Sequence, residues 1–282
     1  MLKLKPLVGS LVVSLFILTS GFNHKSEKTI THHDSIGHSV LAEVPTISDV
    51  GMPNLNSLKL NPKVDMRNVS PPIYNQQRTN SCTAFASVKG ILEIERRAAG
   101  LPAPEMSAAY QYYNERIMEG TTEKDTGSHM RMAAYVMMVK GALPEESMPF
   151  TEDNITKEPS YAQNKEADDY RVKEIHSLHG VDDIITSLDN GHPVMLGIPV
   201  WQSLGSFRTV VFGVVQMPSM EEMIGRPLGG HAICIVGYDP ISKYFIVRNS
   251  WGAKFGDKGY LYIPFDYIKY FGGDEWSVEI FN

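Results

Sequence analysis

The sequence of 282 residues contains only two cysteines, Cys82 and Cys234. Exported proteins are often held together by several disulfides, but this chain can form at most one internal bridge, so its fold must depend on a hydrophobic core. Its 26 Lys and Arg residues are outnumbered by 32 Asp and Glu residues. No basic stripe is present, which argues against nucleic acid as a partner. The acidic excess favours solubility and does not identify a substrate.

Long apolar runs are also scarce. The most apolar stretch, Leu7–Leu18, follows Lys3 and Lys5 and precedes the small residues Thr19–Gly21. It is too short to span a bilayer as a helix, which takes about 20 residues. This arrangement is typical of a secretory signal peptide over residues 1–21, and a retained anchor or a lipid-modified form is the alternative. We therefore expect a secreted or periplasmic protein without a membrane span in its mature form.

Residues 22–60 are polar and have no helical or strand period, and they include four histidines (His24, His32, His33 and His38). Such a stretch is typical of a linker between turns. The alternative is a propeptide that lies across an active site. The residues alone favour the linker, and the motifs described below favour the propeptide.

The remainder divides into a mainly helical half and a half rich in short strands. Apolar spacing predicts a helix from Cys82 to Ala99, a second capped by Ser107, a third over Ser128–Lys140 and a short one over Val181–Leu188, with a long loop at 151–170. Runs rich in Val, Ile and Tyr predict strands at Pro193–Ile198, His231–Tyr238, Tyr244–Asn249 and Gly259–Pro264. Two differently built halves commonly meet in a cleft that binds a ligand.

Cys82 is the better candidate for chemistry of the two cysteines. It begins a predicted helix, where the dipole and the free N–H groups favour a thiolate, so we expect its pKa to be lowered. Cys234 lies inside an apolar strand, where burial should raise the pKa of the thiol and make it inert. A structural role remains the alternative for a single cysteine at a helix start.

A cysteine nucleophile needs a base, and the base needs an orienting partner. His231 opens a predicted strand after Gly229-Gly230, and Asn249 ends the next one. If these two strands pair, Asn249 can hold the imidazole of His231. Either residue alone is more often structural, but their order and spacing after Cys82 favour a catalytic group.

Four segments resemble the papain-like (C1 family) cysteine peptidases, whose Cys, His and Asn follow one another at a known spacing that Asn249 slightly exceeds. They are Val64–Arg67, Asn75-Gln76 with Ser81–Ala86, Gly229–Tyr238, and Asn249-Ser250-Trp251-Gly252 with Gly256, Gly259 and Tyr260. The last is the most specific. The resemblance covers about residues 62–282.

The resemblance implies an α+β, two-lobed papain-like fold in a peptidase domain at 61–282. A helical lobe at about 75–180 and an antiparallel, β-barrel-like lobe at about 181–282 would enclose the cleft. It implies Cys82 as nucleophile, His231 as base, Asn249 as its orienting partner and Gln76 in the oxyanion hole. The substrate-binding positions it implies are Gly127, Ser128, Gly230, Ala232 and Trp251, the last also covering the Asn249–His231 hydrogen bond. Neither cofactor nor metal is implied.

With the expected signal peptide, the same resemblance implies a secreted cysteine peptidase made as a zymogen. Since no obvious loop would block one end of the cleft, we expect an endopeptidase, and an exopeptidase is the alternative. Its expected partners are protein or peptide substrates and its own propeptide as an intramolecular inhibitor, and we expect a monomer. A Cys-His-Asn acyltransferase or amidase, and an inactive peptide-binding relative, are the alternatives.

The chain departs from the family pattern in several places. Thr83 stands where an aromatic residue usually follows the nucleophile, and Thr79 stands where many relatives have a disulfide cysteine. The stretch before the domain is short, and the segment between Trp201 and Gly229 resembles an insertion. These features resemble disulfide-poor bacterial members of the family, and they leave the substrate preference open.

Overall fold

The computed structural model describes residues 61–281. The expected signal peptide at 1–21 and the expected propeptide at 22–60 therefore lie outside the described residues. Within the described part, Cys82 and Cys234 are both buried and free. The same part contains no helix long and apolar enough to cross a bilayer.

The helix predicted from Cys82 is confirmed, but its middle is a π-helix rather than an α-helix. An α-helical turn (α1, Cys82–Ala86) leads into a π-helical segment (Ser87–Leu92) and then into α2 (Glu93–Ala98). At Gly90, in the π-helical segment, a Cβ atom would lie only 3.1 Å from the Cβ of Cys234. The absence of a side chain there lets the helix approach the strand that carries Cys234.

Seven further α-helices follow within the described residues. They are α3 (Ala108–Glu119), α4 (Met130–Val139), α5 (Tyr161–Ala167), α6 (Val181–Asp189), α7 (Phe207–Phe212), α8 (Met220–Ile224) and α9 (Phe265–Phe271). The predicted cap of α3 is confirmed, since Ser107 Oγ accepts from the Tyr110 amide at 3.0 Å. The predicted loop at 151–170 is wrong over α5, where Ser160 and Gln163 form a capping box.

All the strands pair antiparallel in one sheet. They are β1 (Val64–Asp65), β2 (Val172–Leu178), β3 (Val194–Val200), β4 (Gly229–Asp239), β5 (Tyr244–Arg248), β6 (Tyr260–Pro264) and β7 (Gly273–Ile280). Their order is β2-β7-β3-β4-β5-β6, and β1 also pairs with β4. The four predicted strands correspond to β3, β4, β5 and β6.

The fold is α+β as expected, but the sheet is not closed into a barrel. Strands β2 and β6 lie at its two ends, and among the described residues they do not pair with each other. The division into lobes near residue 180 stays a prediction, because β2, at Val172–Leu178, pairs with the last strand of the sheet.

Strand β4 is the centre of the arrangement. It pairs with β3, β5 and β1, and eight consecutive residues of it, His231–Tyr238, are buried. Helix α1 packs against it. The helical half and the sheet share one hydrophobic core that includes Ile91, Met137, Ile233 and Val247. The start of α1 and the start of β4 are thereby brought together.

Candidate active site

Cys82 is the first residue of α1 and lies against β4. Its side chain is buried and its sulfur donates to Asn80 O at 3.9 Å, and the backbone of Ala232 in β4 lies close enough to lower the pKa of the thiol. Because Ala232 directly follows His231 in β4, the thiol and the imidazole belong to one site. The structure thus brings together two residues that are 149 positions apart in the chain.

The pairing of β4 with β5 brings Asn249 to His231. His231 Nε2 and Asn249 Oδ1 are 2.8 Å apart, and both side chains are buried. The Trp251 indole stacks on the imidazole, with ring centroids 4.5 Å apart and planes inclined by 26°. Phe255 packs edge-on against this indole at 4.7 Å. Since Nε2 is held by Asn249, Nδ1 is the ring nitrogen left for exchanging a proton with a neighbour.

Gln76 is fixed by the same chain segment that supplies Asn249 and Trp251. Its Oε1 accepts from Ser250 Oγ at 2.6 Å, and its backbone N–H donates to Ser250 O at 2.8 Å. Its Nε2 donates to Thr79 O at 2.8 Å. A side-chain amide carries two N–H donors, so one remains beyond this bond.

Hydrogen bonds hold the loop before the nucleophile where many relatives have a disulfide. Thr79 Oγ1 donates to Gln76 O at 2.7 Å and lies 2.6 Å from Ser81 Oγ. The Asn80 backbone N–H donates to the carboxylate of Asp125, and its side-chain amide donates to Asp125 O at 2.7 Å. The loop is tied both to itself and to the chain segment that precedes Gly127.

Four of the residues predicted to bind substrate lie on two segments, the loop before α4 and strand β4, and their role stays a prediction. Gly127 has a φ of +80°, and its N–H donates to Tyr112 Oη at 2.8 Å. Ser128 Oγ donates to Glu119 at 3.1 Å. Gly230 and Ala232 flank His231 in β4 and are paired with Pro199 and Gly197 of β3.

Burial acts on the acid–base properties of the site in a way that the sequence did not indicate. It raises the pKa of the Cys82 thiol to about 11 and lowers the pKa of His231 to about 4, although the bond from Asn249 acts in the opposite direction on His231. The expected fall in the pKa of Cys82 is therefore wrong, because desolvation outweighs the helix start. The expected rise for Cys234 is confirmed, with a pKa of about 12 caused by burial.

Comparison with known proteins gives a family match over most of the chain. The family described as "Papain family cysteine protease" matches residues 60–270. The chain belongs to the papain family of cysteine proteases.

Two curated relatives illustrate the range of the family. An uncharacterized peptidase C1-like protein of Acanthamoeba polyphaga mimivirus is 29% identical over 73% of this chain and 68% of its own length. Mouse pro-cathepsin H is 24% identical over 70% of this chain, and the match takes in only 57% of its length.

Solved structures agree with this assignment. Xylellain, a cysteine protease from Xylella fastidiosa, superposes with a TM-score of 0.74 at 28% identity and covers 85% of this chain and 95% of its own. A cysteine protease of Carica candamarcensis shares the fold with a TM-score of 0.60 at 17% identity, covering 79% of this chain and all of its own. The papain-like fold inferred from the motifs is confirmed.

A cavity is lined in part by Trp251, whose indole covers His231. It has a volume of about 210 Å³, below the roughly 300–1,000 Å³ of pockets that enclose a whole small-molecule ligand. Its walls are mainly apolar and are supplied in part by the insertion-like segment; they include Trp201, Leu204, Val210, Leu228, Trp251 and Phe255. A cavity of this size next to the papain-family site suits a single side chain.

Within residues 61–281, one group of side chains could hold a metal ion, and it lies elsewhere in the sheet. Ligand atoms of Glu174, His176 and Glu279 are within 4.8 Å of one another. These residues lie on β2 and β7, whereas His231 lies on β4, and Lys173 already pairs with Glu279 at 3.1 Å. They are not part of the Cys82 site.

Proposed function

We propose that this papain-family protein is a cysteine endopeptidase in which Cys82 is the nucleophile and His231 the base. The observation that carries the proposal is the imidazole of His231, held by Asn249 beneath Trp251 in the strand against which the helix of Cys82 packs. A nucleophile, a base and an orienting group in this relation suit acyl transfer.

The reaction begins with proton transfer from the Cys82 thiol to His231. Burial opposes a charge on either group alone, so the reactive form is the ion pair, in which each charge compensates the other. The thiolate attacks a peptide carbonyl, and the C=O electrons move onto oxygen. The Cys82 amide and the remaining N–H of Gln76 would donate to this oxyanion.

Collapse of the intermediate breaks the C–N bond and leaves a thioester on Cys82. His231 gives its proton to the departing amine, then takes one from a water molecule that attacks the thioester. The second collapse releases the acid and restores the thiol. Asn249 keeps the imidazole in one orientation through both steps, and Trp251 excludes water from their hydrogen bond.

The substrate is proposed to lie along the cleft in an extended form. Gly127, Ser128, Gly230 and Ala232 would border the residues before the scissile bond. The cavity beside Trp251 is lined by none of these four residues, so we propose that it receives a side chain that follows the scissile bond. Its apolar walls favour a large apolar side chain there.

The proposed zymogen form is compatible with the position of Asn61. The Asn61 N–H donates to Asp189 at 2.9 Å, and its carbonyl accepts from Tyr238 Oη at 2.9 Å. Tyr238 lies near the end of β4 opposite His231, about 23 Å away at roughly 3.3 Å per strand residue. An extended segment of about seven residues covers that distance, so residues 22–60 are long enough to reach the cleft.

Mouse pro-cathepsin H is named as a proenzyme. We propose that this protein is likewise secreted as a precursor, and that it is monomeric.

Processing of the precursor supplies one prediction. Incubation of the purified precursor should release a form whose N-terminus lies between Lys59 and Val64, and faster in acid, where histidines of the 22–60 segment gain charge. N-terminal sequencing of the product checks the position. The same incubation of the Cys82→Ala precursor is the control and should leave the chain intact. A fully active wild-type chain that retains its original N-terminus would contradict the zymogen proposal.

The proposed activity is tested by labelling and by a peptide library together. An epoxysuccinyl inhibitor should modify Cys82 and leave Cys234 unmodified, as read by mass spectrometry of a digest. The processed enzyme should cleave inside library peptides and prefer large apolar residues just after the cut. Labelling without release of peptides, but with transfer of acyl groups to amines, would favour the acyltransferase or amidase. Failure of both labelling and cleavage would favour an inactive peptide-binding relative.

A further inference from the structure

A fully buried carboxyl group lies behind the nucleophile and has no role in the proposed mechanism. Glu115 is on α3, which packs against α1, and its side chain is fully shielded from solvent. Its Oε2 accepts a 2.5 Å hydrogen bond from Thr83 Oγ1. Thr83 directly follows Cys82 and is the residue that replaces the aromatic expected from the family motif. The residue that departs from the family motif therefore contacts the buried acid directly.

The second contact of Glu115 comes from its own helix. Gln111 Nε2 donates to Glu115 Oε1 at 2.9 Å and also to Ala133 O of α4 at 3.0 Å. The carboxyl group is thus fixed between α1, α3 and α4 by two neutral donors. A buried carboxylate with only neutral partners is held less firmly in its charged form than one that has a cationic partner.

The charged groups nearby compensate a negative charge on Glu115 only in part, because Arg116 favours the charged carboxylate but the effect of burial is larger. The guanidinium of Arg116, the next residue, is bonded to the carbonyl oxygens of Tyr112, Thr122, Lys124 and Ile155. Glu119, one turn along α3, adds a like charge, and its own partner is the exposed His129 before α4.

The basic groups on the other packed elements either have acidic partners of their own or are exposed. Lys89 of the π-helical segment is paired with Glu105 and Glu145, and Arg131 of α4 is exposed. From α1 the titratable group is Cys82 itself, and a charge on Glu115 opposes its ionisation.

We propose that Glu115 is a positioning residue for Cys82, which as a neutral acid holds the start of α1 through Thr83 and which on losing its proton opposes formation of the Cys82 thiolate. This inference rests on the proposed role of Cys82 as the nucleophile. It gives Thr83 a role, which is to join Glu115 to the start of α1. It also means that the reactivity of Cys82 in alkali depends on Glu115 of α3 as well as on the Cys82–His231 pair.

The electrostatics of the buried acid agree with its contacts. Burial raises the pKa of Glu115 to about 8, although the bonds from Thr83 and Gln111 act in the opposite direction. The group is therefore neutral in acid and at neutral pH and becomes charged in mild alkali. Since its pKa is raised on folding, the stability it contributes is complete below the unfolded value near 4.5 and is lost as the pH rises through about 8.

The test is the pH dependence of Cys82 alkylation, which needs no substrate. The rate constant for iodoacetamide at Cys82, resolved from Cys234 by mass spectrometry, is measured from pH 5 to pH 10 in wild type and in Glu115→Gln. Gln reproduces the neutral acid, so the two rates should agree at pH 6. At pH 9 to 10 the variant should react about three- to tenfold faster, as expected for a buried charge coupled to the thiol by up to one pKa unit.

Glu123→Gln removes one negative charge from an exposed position and is the matched control, whose rates should follow wild type throughout. Urea unfolding at pH 5, 7 and 9 supplies a second readout. The stability of Glu115→Gln relative to wild type should rise with pH, which separates titration of Glu115 from that of other buried acids such as Glu93.

A rate ratio that stays constant across the pH range, with no pH-dependent gain in stability, would overturn the proposal and leave Glu115 a packing residue. Should Glu115→Gln not fold, Thr83→Val serves instead. It removes a bond that favours the charged carboxylate, so the slowing of Cys82 alkylation by the Glu115 charge should begin at a higher pH than in wild type. A pH profile of alkylation identical to that of wild type would overturn the proposal. If wild-type Cys82 is alkylated normally but no peptide is cleaved, the proposed function fails while this inference stands.

Discussion

A Cys82→Ala variant should lose peptide hydrolysis by a factor on the order of 10⁴ or more, because no other group in the site can form the thioester. The fold should survive. The sulfur is buried at the boundary of α1 and β4, and its removal leaves a small void that costs about 1 kcal/mol of unfolding free energy. The measurement is kcat/KM on a fluorogenic peptide, together with a thermal melt of the same sample.

Cys234→Ala is the matched control for this prediction. It makes the same chemical change at the other buried free cysteine, three residues after His231 in β4. Cys234 contacts Gly90 across the helix–sheet interface and not the reacting groups, so kcat/KM should stay within about twofold of wild type once both are folded. If the Cys82→Ala protein cleaves at a rate near wild type, or if the Cys234→Ala protein is inactive while folded, the assignment of the nucleophile is wrong.

The largest expected effect on stability comes from Arg116→Met. The Arg116 side chain is fully buried, packs on the Tyr112 ring at 3.9 Å and satisfies four backbone carbonyl oxygens. Met matches its length but supplies no donor, so all four bonds are lost, and those to Tyr112 O and Ile155 O are lost in buried surroundings. We expect a loss of about 3–5 kcal/mol in unfolding free energy and a fall of about 10 °C in melting temperature.

Arg97→Met is the control for the loss of a positive charge from a helix, because Arg97 is exposed on α2. Its effect should be within about 0.5 kcal/mol. Two of the carbonyls that Arg116 satisfies lie at residues 122 and 124, beside Asp125, which holds Asn80 of the nucleophile loop. Cleavage should therefore fall together with stability. An Arg116→Met protein within 1 kcal/mol of wild type would show that the buried guanidinium is dispensable.

Helix caps and runs of apolar residues in the sequence predicted the helices and strands that are specified by residues close together in the chain. Ser107 is a capping residue by type, and the apolar run at Ala232–Val236 can only be a buried segment, so α3 and β4 were predictable. Strand β2 was missed because Lys173, Glu174 and His176 interrupt its apolar pattern, and its place in the sheet is set by pairing with β7. Helix α5 was missed because it has one buried residue, Ala167, and is specified by its cap.

The candidate site divides in the same way. The family motifs mark the four catalytic positions, Gln76, Cys82, His231 and Asn249, so these could be predicted from the sequence. Glu115 belongs to no motif, and only the structure shows that it is buried against Thr83. The sign of the pKa shift at Cys82 could not be predicted, since it depends on how completely the α1–β4 interface removes the thiol from water. Ser250 lay within a recognised motif, but its bond to Gln76 is visible only in three dimensions.

The nucleophile loop, tied by Thr79, Ser81 and the Asn80–Asp125 contacts rather than by a disulfide, changes how the protein responds to reducing conditions. Thiolate nucleophiles are inactivated by oxidation and are protected by added thiols. In a relative that has a disulfide in this loop, the same thiols can reduce that disulfide and destabilise the fold. Here no covalent bond of the described fold can be reduced. A strongly reducing medium should keep Cys82 in its reactive state and leave the melting temperature unchanged.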